Sequence, residues 1–207
     1  MNKTYFITGI GTEVGKTMVS AIVTEALQAD YFKPIQAGDL DYSDTHKVKA
    51  MLSNSKSKFF DNAYALKTPM SPHAAADIDN LEIQLKDIQR PETENTLVIE
   101  GAGGLLVPLN SKDCIIDLIE KTDKIILVSR HYLGSINHTL LSIEALKSRG
   151  FSNIGMIFSG DEHPTTESII LEKTNLTCVG RIEEEAEFSK AVVSKYAQKL
   201  KLNIEKL

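Results

Sequence analysis

The chain of 207 residues predicts an α/β fold: a doubly wound, mainly parallel sheet with helices on both faces. Three observations predict it. Short β-forming runs alternate with helical patterns from end to end. Most of these runs are near-continuously apolar, as strands buried on both faces must be. The first, Tyr5-Phe6-Ile7-Thr8, enters a glycine-rich loop that ends in Gly15-Lys16-Thr17 and opens an apolar helical pattern.

Taken in order, strands are expected at 4–8, 31–34, 96–100, 124–129 and 153–158, with a weaker one at 176–180. A helix should follow the loop from Met18 to Ala29. Leu81, Leu85 and Ile88 mark a helix near 79–89, ended by Pro91. Ser135 reads as the N-cap of a helix striped by Ile136, Leu140, Ile143 and Leu146, with Gly150 as its stop. Phe188, Val192, Tyr196 and Leu200 stripe a C-terminal helix, whose lysines (Lys190, Lys195, Lys199, Lys201) form its solvated face. No linker or repeat divides the chain, so 1–207 reads as a single domain.

Composition narrows the function classes. Hydrophobic residues make up 42% and charged residues 25%, ordinary for a globular protein. A net charge of −5 gives no nucleic-acid footprint. Cys114 and Cys178 lack metal or redox spacing and read as buried free thiols. There is no membrane-length apolar run and no signal-peptide core before the first strand, so a reducing cytoplasm is expected. The five histidines do not form a metal cluster, and His73 reads as structural.

The stretch Gly9-Ile10-Gly11-Thr12-Glu13-Val14-Gly15-Lys16-Thr17 is built to cradle phosphates. Small residues let backbone N–H groups turn onto oxyanions. Lys16 reaches the terminal phosphates, the Thr17 hydroxyl can ligate Mg²⁺, and the next helix points its positive end at the anion. The loop is a variant of G-x-x-x-x-G-K-[ST]: the first glycine falls at Gly9, with another at Gly11, and Ile10 stands where the pattern wants glycine.

Mg²⁺ beside a nucleotide takes one or two carboxylates plus phosphate oxygens. Glu100, placed at the end of a buried strand and before Gly101-Ala102-Gly103-Gly104, is the natural donor. Taken alone, Asp44 reads as a surface or helix-capping residue. Lys33, before Pro34, reads either as a solvated lysine or as a charge that neutralises a transferring phosphoryl group.

These pieces together resemble the dethiobiotin synthetase family, ATP-dependent carboxylases of biotin biosynthesis on the P-loop NTPase fold. The similar segments are Tyr5 to Gly9 with Thr12 to Thr17, Lys33 to Gly38, Ser43-Asp44, Ser71-Pro72-His73, Glu100 to Gly104 and Leu133 to His138. They occur in family order through about residue 140, and the match thins beyond 150.

The resemblance implies a reaction in which 7,8-diaminononanoate captures CO₂ as a carbamate and ATP phosphorylates it. The second amine then closes a cyclic urea. It implies Lys33 and Lys16 as catalytic residues. It implies a nucleotide site of Glu13, Val14, Gly15, Lys16, Thr17, Met18, Asp44, Glu100, Gly101, Ala102, Gly103, Ser159 and Glu187. Thr17, Asp44 and Glu100 would hold Mg²⁺, while Thr12, Lys33 and Ala37 would meet the diamine carbamate. The substrate's distal carboxylate would sit on the helix start at Leu133, Gly134, Ser135, Ile136 and Asn137 of a neighbouring subunit, implying a homodimer. By its residues alone this segment reads as a capped helix start.

The chain departs from the family at three places. Ala37 replaces a usual Ser or Thr, removing a hydrogen bond worth on the order of 1 kcal/mol. Ser159 stands where the family's adenine-reading Asn falls, and Glu183-Glu184-Glu185 replace a proline-led turn, so a relaxed nucleotide preference is expected. The hairpin after the first helix is also short, Gln28-Ala29-Asp30 leading straight into Tyr31. Within the matching loop, Glu13 places a carboxylate beside phosphates, which calls for an intervening cation. Rival readings fit less well. A partition- or arsenite-type ATPase wants a lysine at position 11, where Gly11 stands. A cobyrinate amidase wants an added glutaminase domain, for which 207 residues leave no room. A metabolite kinase wants an arginine-bearing lid. A P-loop switch or scaffold without ligase activity is the remaining alternative.

Overall fold

The computed structural model describes residues 3–207. The chain runs β1 (Thr4–Gly9), α1 (Lys16–Leu27), β2 (Asp30–Phe32), β3 (Ile35–Ala37), α2 (Asp44–Met51), β4 (Phe59–Phe60), β5 (Tyr64–Leu66), α3 (Pro72–Ile78), β6 (Leu97–Gly104), β7 (Lys124–Arg130), α4 (Ser135–Ser148), β8 (Ile154–Ser159), α5 (Pro164–Thr174), β9 (Thr177–Ile182) and α6 (Lys190–Lys206). Seven strands form one sheet in the order β4-β2-β6-β1-β7-β8-β9, every neighbouring pair parallel. β3 and β5 pair separately, also parallel. Strands β2, β4 and β6 lie to one side of β1 and β7, β8 and β9 to the other. The switch in direction thus falls at the carboxyl end of β1, where ligands gather in such sheets.

Side-chain alternation explains the two faces. Tyr5 and Ile7 of β1 join Tyr31, Val98 and Ile126 against α1, α2 and α6. Phe6, Phe32, Leu97, Ile99 and Ile125 turn to the opposite layer, where they meet Ala75 of α3 and Leu146 of α4. A smaller cluster sets Met156 and Phe158 against Ile143 and Ile170 of α4 and α5. Fully burying one such side chain is worth roughly 1.5–3 kcal/mol. A single strained residue in the loop, costing about 1–2 kcal/mol, is easily carried by this platform.

The predicted strands all form, with shifted ends. The segment expected at 31–34 is Asp30–Phe32, since Pro34 has no N–H to continue a ladder. β6 continues to Gly104, so Glu100 lies within the strand and not at its end. Helix α1 begins at Lys16 and already contains Lys16 and Thr17.

The helix expected near 79–89 does not form. α3 occupies Pro72–Ile78 instead, and Asn80 turns left-handed at φ 55° to end it. Only a 3-10 turn at Leu85–Asp87 follows. Leu81 is 48% exposed while Ile83, off the assumed stripe, is fully buried. The apolar spacing there belongs to an irregular segment that docks one side chain at a time.

Ser135 is not an N-cap: Gly134 caps α4 at φ 104°, and Ser135 is its buried first residue. The inward stripe runs Ser135, Thr139, Ile143, Leu146, leaving Ile136 exposed. Phe188 precedes α6, whose N-cap is Ser189. The four lysines assigned to the solvated face of α6 are exposed. Cys178 is exposed and Cys114 half-buried, both free, so neither is the buried thiol expected. Both lie in outer segments that pack only one flank onto the core. Helices α2 and α5 and the β3–β5 pair carry no strong periodic signal and were not foreseen.

Candidate active site

The loop between β1 and α1 takes its shape from two glycines. A Cβ on Gly9 would lie 2.5 Å from Val14 Cγ2, and one on Gly15, at φ 94°, would lie 2.7 Å from Ser159 Oγ. A Cβ on Gly11 would meet nothing within 4 Å, so this glycine is not sterically required. Glu13 adopts φ 55°, a left-handed conformation that would suit glycine better, and its side chain is exposed. This backbone turn explains how the variant spacing still closes a loop. Gly15 caps α1 without a side-chain bond, which leaves the first N–H groups of the helix available to an anion. Lys16 is 8% exposed, and its Nζ donates to Gly11 O at 2.7 Å. Burial, with the Lys33 charge adding to it, pushes the Lys16 pKa down to about 8.

Beside the loop lies a buried charge cluster. Lys33 leaves β2 pointing the same way as Tyr31, by the two-residue alternation of a strand. Its Nζ donates to Asp44 Oδ2 at 2.6 Å and to Glu100 Oε1 at 2.9 Å. Thr17 Oγ1 donates to that same Glu100 Oε1 at 3.0 Å, and Tyr31 OH donates to Oε2 at 2.8 Å. Asp44 is fixed in the first turn of α2 by a reciprocal cap: Ser43 Oγ accepts from His46 N, and His46 Nδ1 accepts from Ser43 N. Lys47 approaches Asp44 at 3.6 Å.

The charges follow from this geometry. Burial alone would lower the Lys33 pKa, but the Glu100 and Asp44 carboxylates outweigh it and hold the ammonium above its ordinary value. Burial likewise pushes Asp44 up, and the Lys33 charge wins, holding its carboxyl below the usual range. Burial drives the Tyr31 hydroxyl well above its ordinary value, with the Glu100 charge adding to it, so Tyr31 remains a donor.

A cavity of about 770 Å³ opens over this cluster. Of the site residues expected from sequence, Thr12, Glu13, Gly15, Lys16, Thr17, Met18, Lys33, Ala37, Asp44, Glu100, Ala102 and Gly103 line it. Val14 is buried beneath the loop, and Gly101 is buried within β6, where a Cβ would press on Phe6 and Ile115. Ser159 is buried with its hydroxyl against the Gly15 side of the loop. Glu187 is exposed in the connection from β9 to α6. Leu133, Gly134, Ser135, Ile136 and Asn137 do not line the cavity; they sit at the start of α4, with Leu133 fully exposed.

Sequence reasoning missed Tyr31 and Arg130. Arg130 lines the cavity and pairs with Glu184 at 2.8 Å. The parity of Tyr31 and Lys33 was the available signal for the first. Nothing local marks the second.

The donor set suits a hard cation bound with a nucleotide. Among the described residues no group of three His, Cys, Asp or Glu could hold a metal. A cation here would draw on Glu100, Asp44 and the Thr17 hydroxyl, with phosphate oxygens and water completing its shell, as Mg²⁺ does.

Residues 3–192 match the family described as AAA domain. The chain is 70% identical over 201 residues to the ATP-dependent dethiobiotin synthetase BioD of Christiangramia forsetii, covering 97% of each chain. It is 50% identical to the enzyme of that name from Cytophaga hutchinsonii, over 96% of this chain and 97% of that one. The Chlamydia pneumoniae enzyme of that name is 43% identical over 94% and 88% of the two chains. Among solved structures, the Pyrococcus furiosus cell division ATPase MinD superposes with a TM-score of 0.61 at 16% identity, covering 100% of this chain and 99% of that chain. A ParA family ATPase from Chlorobium tepidum gives 0.55 at 14% identity, covering 99% and 96%. Likenesses so low in identity carry the P-loop fold alone. The sequence relatives carry more: the chain belongs to the ATP-dependent dethiobiotin synthetase family.

Proposed function

We propose that this protein is a Mg²⁺-using ligase that carboxylates 7,8-diaminononanoate with CO₂ and closes the ring to dethiobiotin at the expense of ATP. One observation supports the mechanism above others: a buried lysine held between two carboxylates at the mouth of a phosphate-binding loop. Lys16 would grip the β/γ-phosphates, and the α1 N-terminus would receive the phosphate charge. Thr17, Asp44 and Glu100 would hold Mg²⁺, which supplies charge neutralisation for the phosphates when bound.

In this reading the diamine's carbamate lies between Thr12 and Ala37, beside Lys33. A carbamate oxygen attacks the γ-phosphorus, ADP leaves, and the second amine then displaces phosphate from the carbonyl carbon. Lys33 faces the charge that spreads over the transferring phosphoryl group, and no protein nucleophile is needed. We read residues 1–207 as one domain working in the cytoplasm. The test incubates purified protein with diaminononanoate, bicarbonate, Mg²⁺ and nucleotide, with mass analysis of the product. Dethiobiotin should form with ATP, and also with GTP or CTP if the changes at Ser159 and Glu183 relax base reading. Strict ATP use removes that second expectation, and phosphate release indifferent to diamine favours a switch or scaffold.

A homodimer would complete the site. Exposed Tyr132, Leu133 and Ile136 flank the start of α4 and Leu141 is exposed midway along it, apolar side chains at and beyond the segment assigned to the distal carboxylate. Sedimentation should give twice the chain mass, and Leu133→Asp should shift it to the monomer with a higher KM for the diamine. A monomeric but fully active wild type would remove the shared site.

A further inference from the structure

We propose that Tyr31 is a positioning residue for the metal site: its hydroxyl fixes the orientation of the Glu100 carboxylate so that one oxygen is committed to the cavity. The proposal rests on the reading of Glu100 as a Mg²⁺ ligand.

The two carboxylate oxygens have divided surroundings. Oε1 accepts from Thr17 and Lys33, the groups at the cavity floor. Oε2 points away and accepts from Tyr31 OH at 2.8 Å. The Glu100 side chain is fully buried, so water cannot replace that donor. Tyr31 itself cannot drift. It is fully buried in β2, a strand paired on both sides, with Tyr31 opposite Val98 and Phe59. Its ring lies against Phe59, with centroids 5.9 Å apart. A strand of the sheet therefore sets the hydroxyl, and the hydroxyl sets the carboxylate. Without it, Oε2 would be an unpaired buried anion. The carboxylate would then rotate to share the Thr17 and Lys33 donors between both oxygens, taking Oε1 off its direction. Partners of this kind orient ligating groups, and their loss typically weakens metal binding about 10–100-fold.

Tyr31→Phe keeps the ring and removes only the oxygen. The probe is Mn²⁺, titrated by electron paramagnetic resonance into protein saturated with a non-hydrolysable ATP analogue. The affinity of the metal-free analogue is measured in parallel. Tyr31→Phe should weaken Mn²⁺ about tenfold or more while leaving metal-free analogue affinity within about twofold. Phe59→Leu, which disturbs the same packing but leaves the hydroxyl, should keep wild-type Mn²⁺ affinity. Unchanged Mn²⁺ affinity in Tyr31→Phe, with Glu100→Gln weakened, overturns the role of Tyr31 alone. Unchanged affinity in Glu100→Gln overturns the metal assignment beneath it. Equal losses in Tyr31→Phe and Phe59→Leu would make the effect one of packing and also overturn the proposal.

Discussion

Lys33→Ala should abolish most turnover and unsettle the fold at once. The variant leaves Asp44 and the fully buried Glu100 facing each other without the ammonium that now lies 2.6 Å and 2.9 Å from them. Breaking a buried ion pair by removing one partner costs about 3–5 kcal/mol. For a chain of this size, a Tm fall of roughly 6–20 °C follows. Turnover should drop about 10²–10³-fold, the usual loss when a preorganised charge at a transition state is removed. If the two carboxylates are also ligands, millimolar Mg²⁺ should raise the Tm of Lys33→Ala more than that of the wild type, because the cation replaces the missing charge. Calorimetry with and without Mg²⁺, beside steady-state kinetics, reads all three effects. A variant that melts and turns over like the wild type would take Lys33 out of both the mechanism and the charge balance.

Lys16→Met should separate stability from activity in the opposite sense. Lys16 is buried, with a pKa lowered to about 8 from an ordinary 10.5. Its charge is therefore disfavoured in the folded state: it costs stability below pH 8, and the cost fades as pH rises from 8 toward 10.5. At neutral pH that cost is on the order of 3 kcal/mol, so Lys16→Met should raise the nucleotide-free Tm. The same change should cut turnover about 10²–10³-fold by removing the charge that meets the phosphates.

In the wild type, ATP should draw a proton onto Lys16. Affinity should fall as pH rises through 8, by up to about tenfold per unit. Titration calorimetry in two buffers of different ionisation enthalpy, near pH 8, should show proton uptake on binding. Proton release, or a less stable Lys16→Met, would contradict the assignment.

How much was legible beforehand depended on how far apart the cooperating residues lie. The strands at Tyr5-Phe6-Ile7 and Leu97-Val98-Ile99 were readable because a run buried on both faces is apolar whatever its neighbours. The phosphate loop was readable because its chemistry lies in nine consecutive residues, although its closure through a left-handed Glu13 was not. The segment after α3 misled because three leucine-sized residues at helical spacing do not specify a helix: Asn80 turns the backbone left-handed just before them, and only a 3-10 turn at Leu85–Asp87 follows.

The sequence by itself determined the layered α/β architecture, the anion-binding loop and the presence of a carboxylate on the strand beside it, since each follows from local periodicity or adjacency. Tertiary structure alone decided that Lys33 lies between Asp44 and Glu100, that Thr17 reaches a carboxylate 83 positions away, and that Tyr31 holds its far oxygen. The physical reason is register. Which side chains meet across β2, β6 and α1 depends on how parallel strands are offset, and no single segment carries that information.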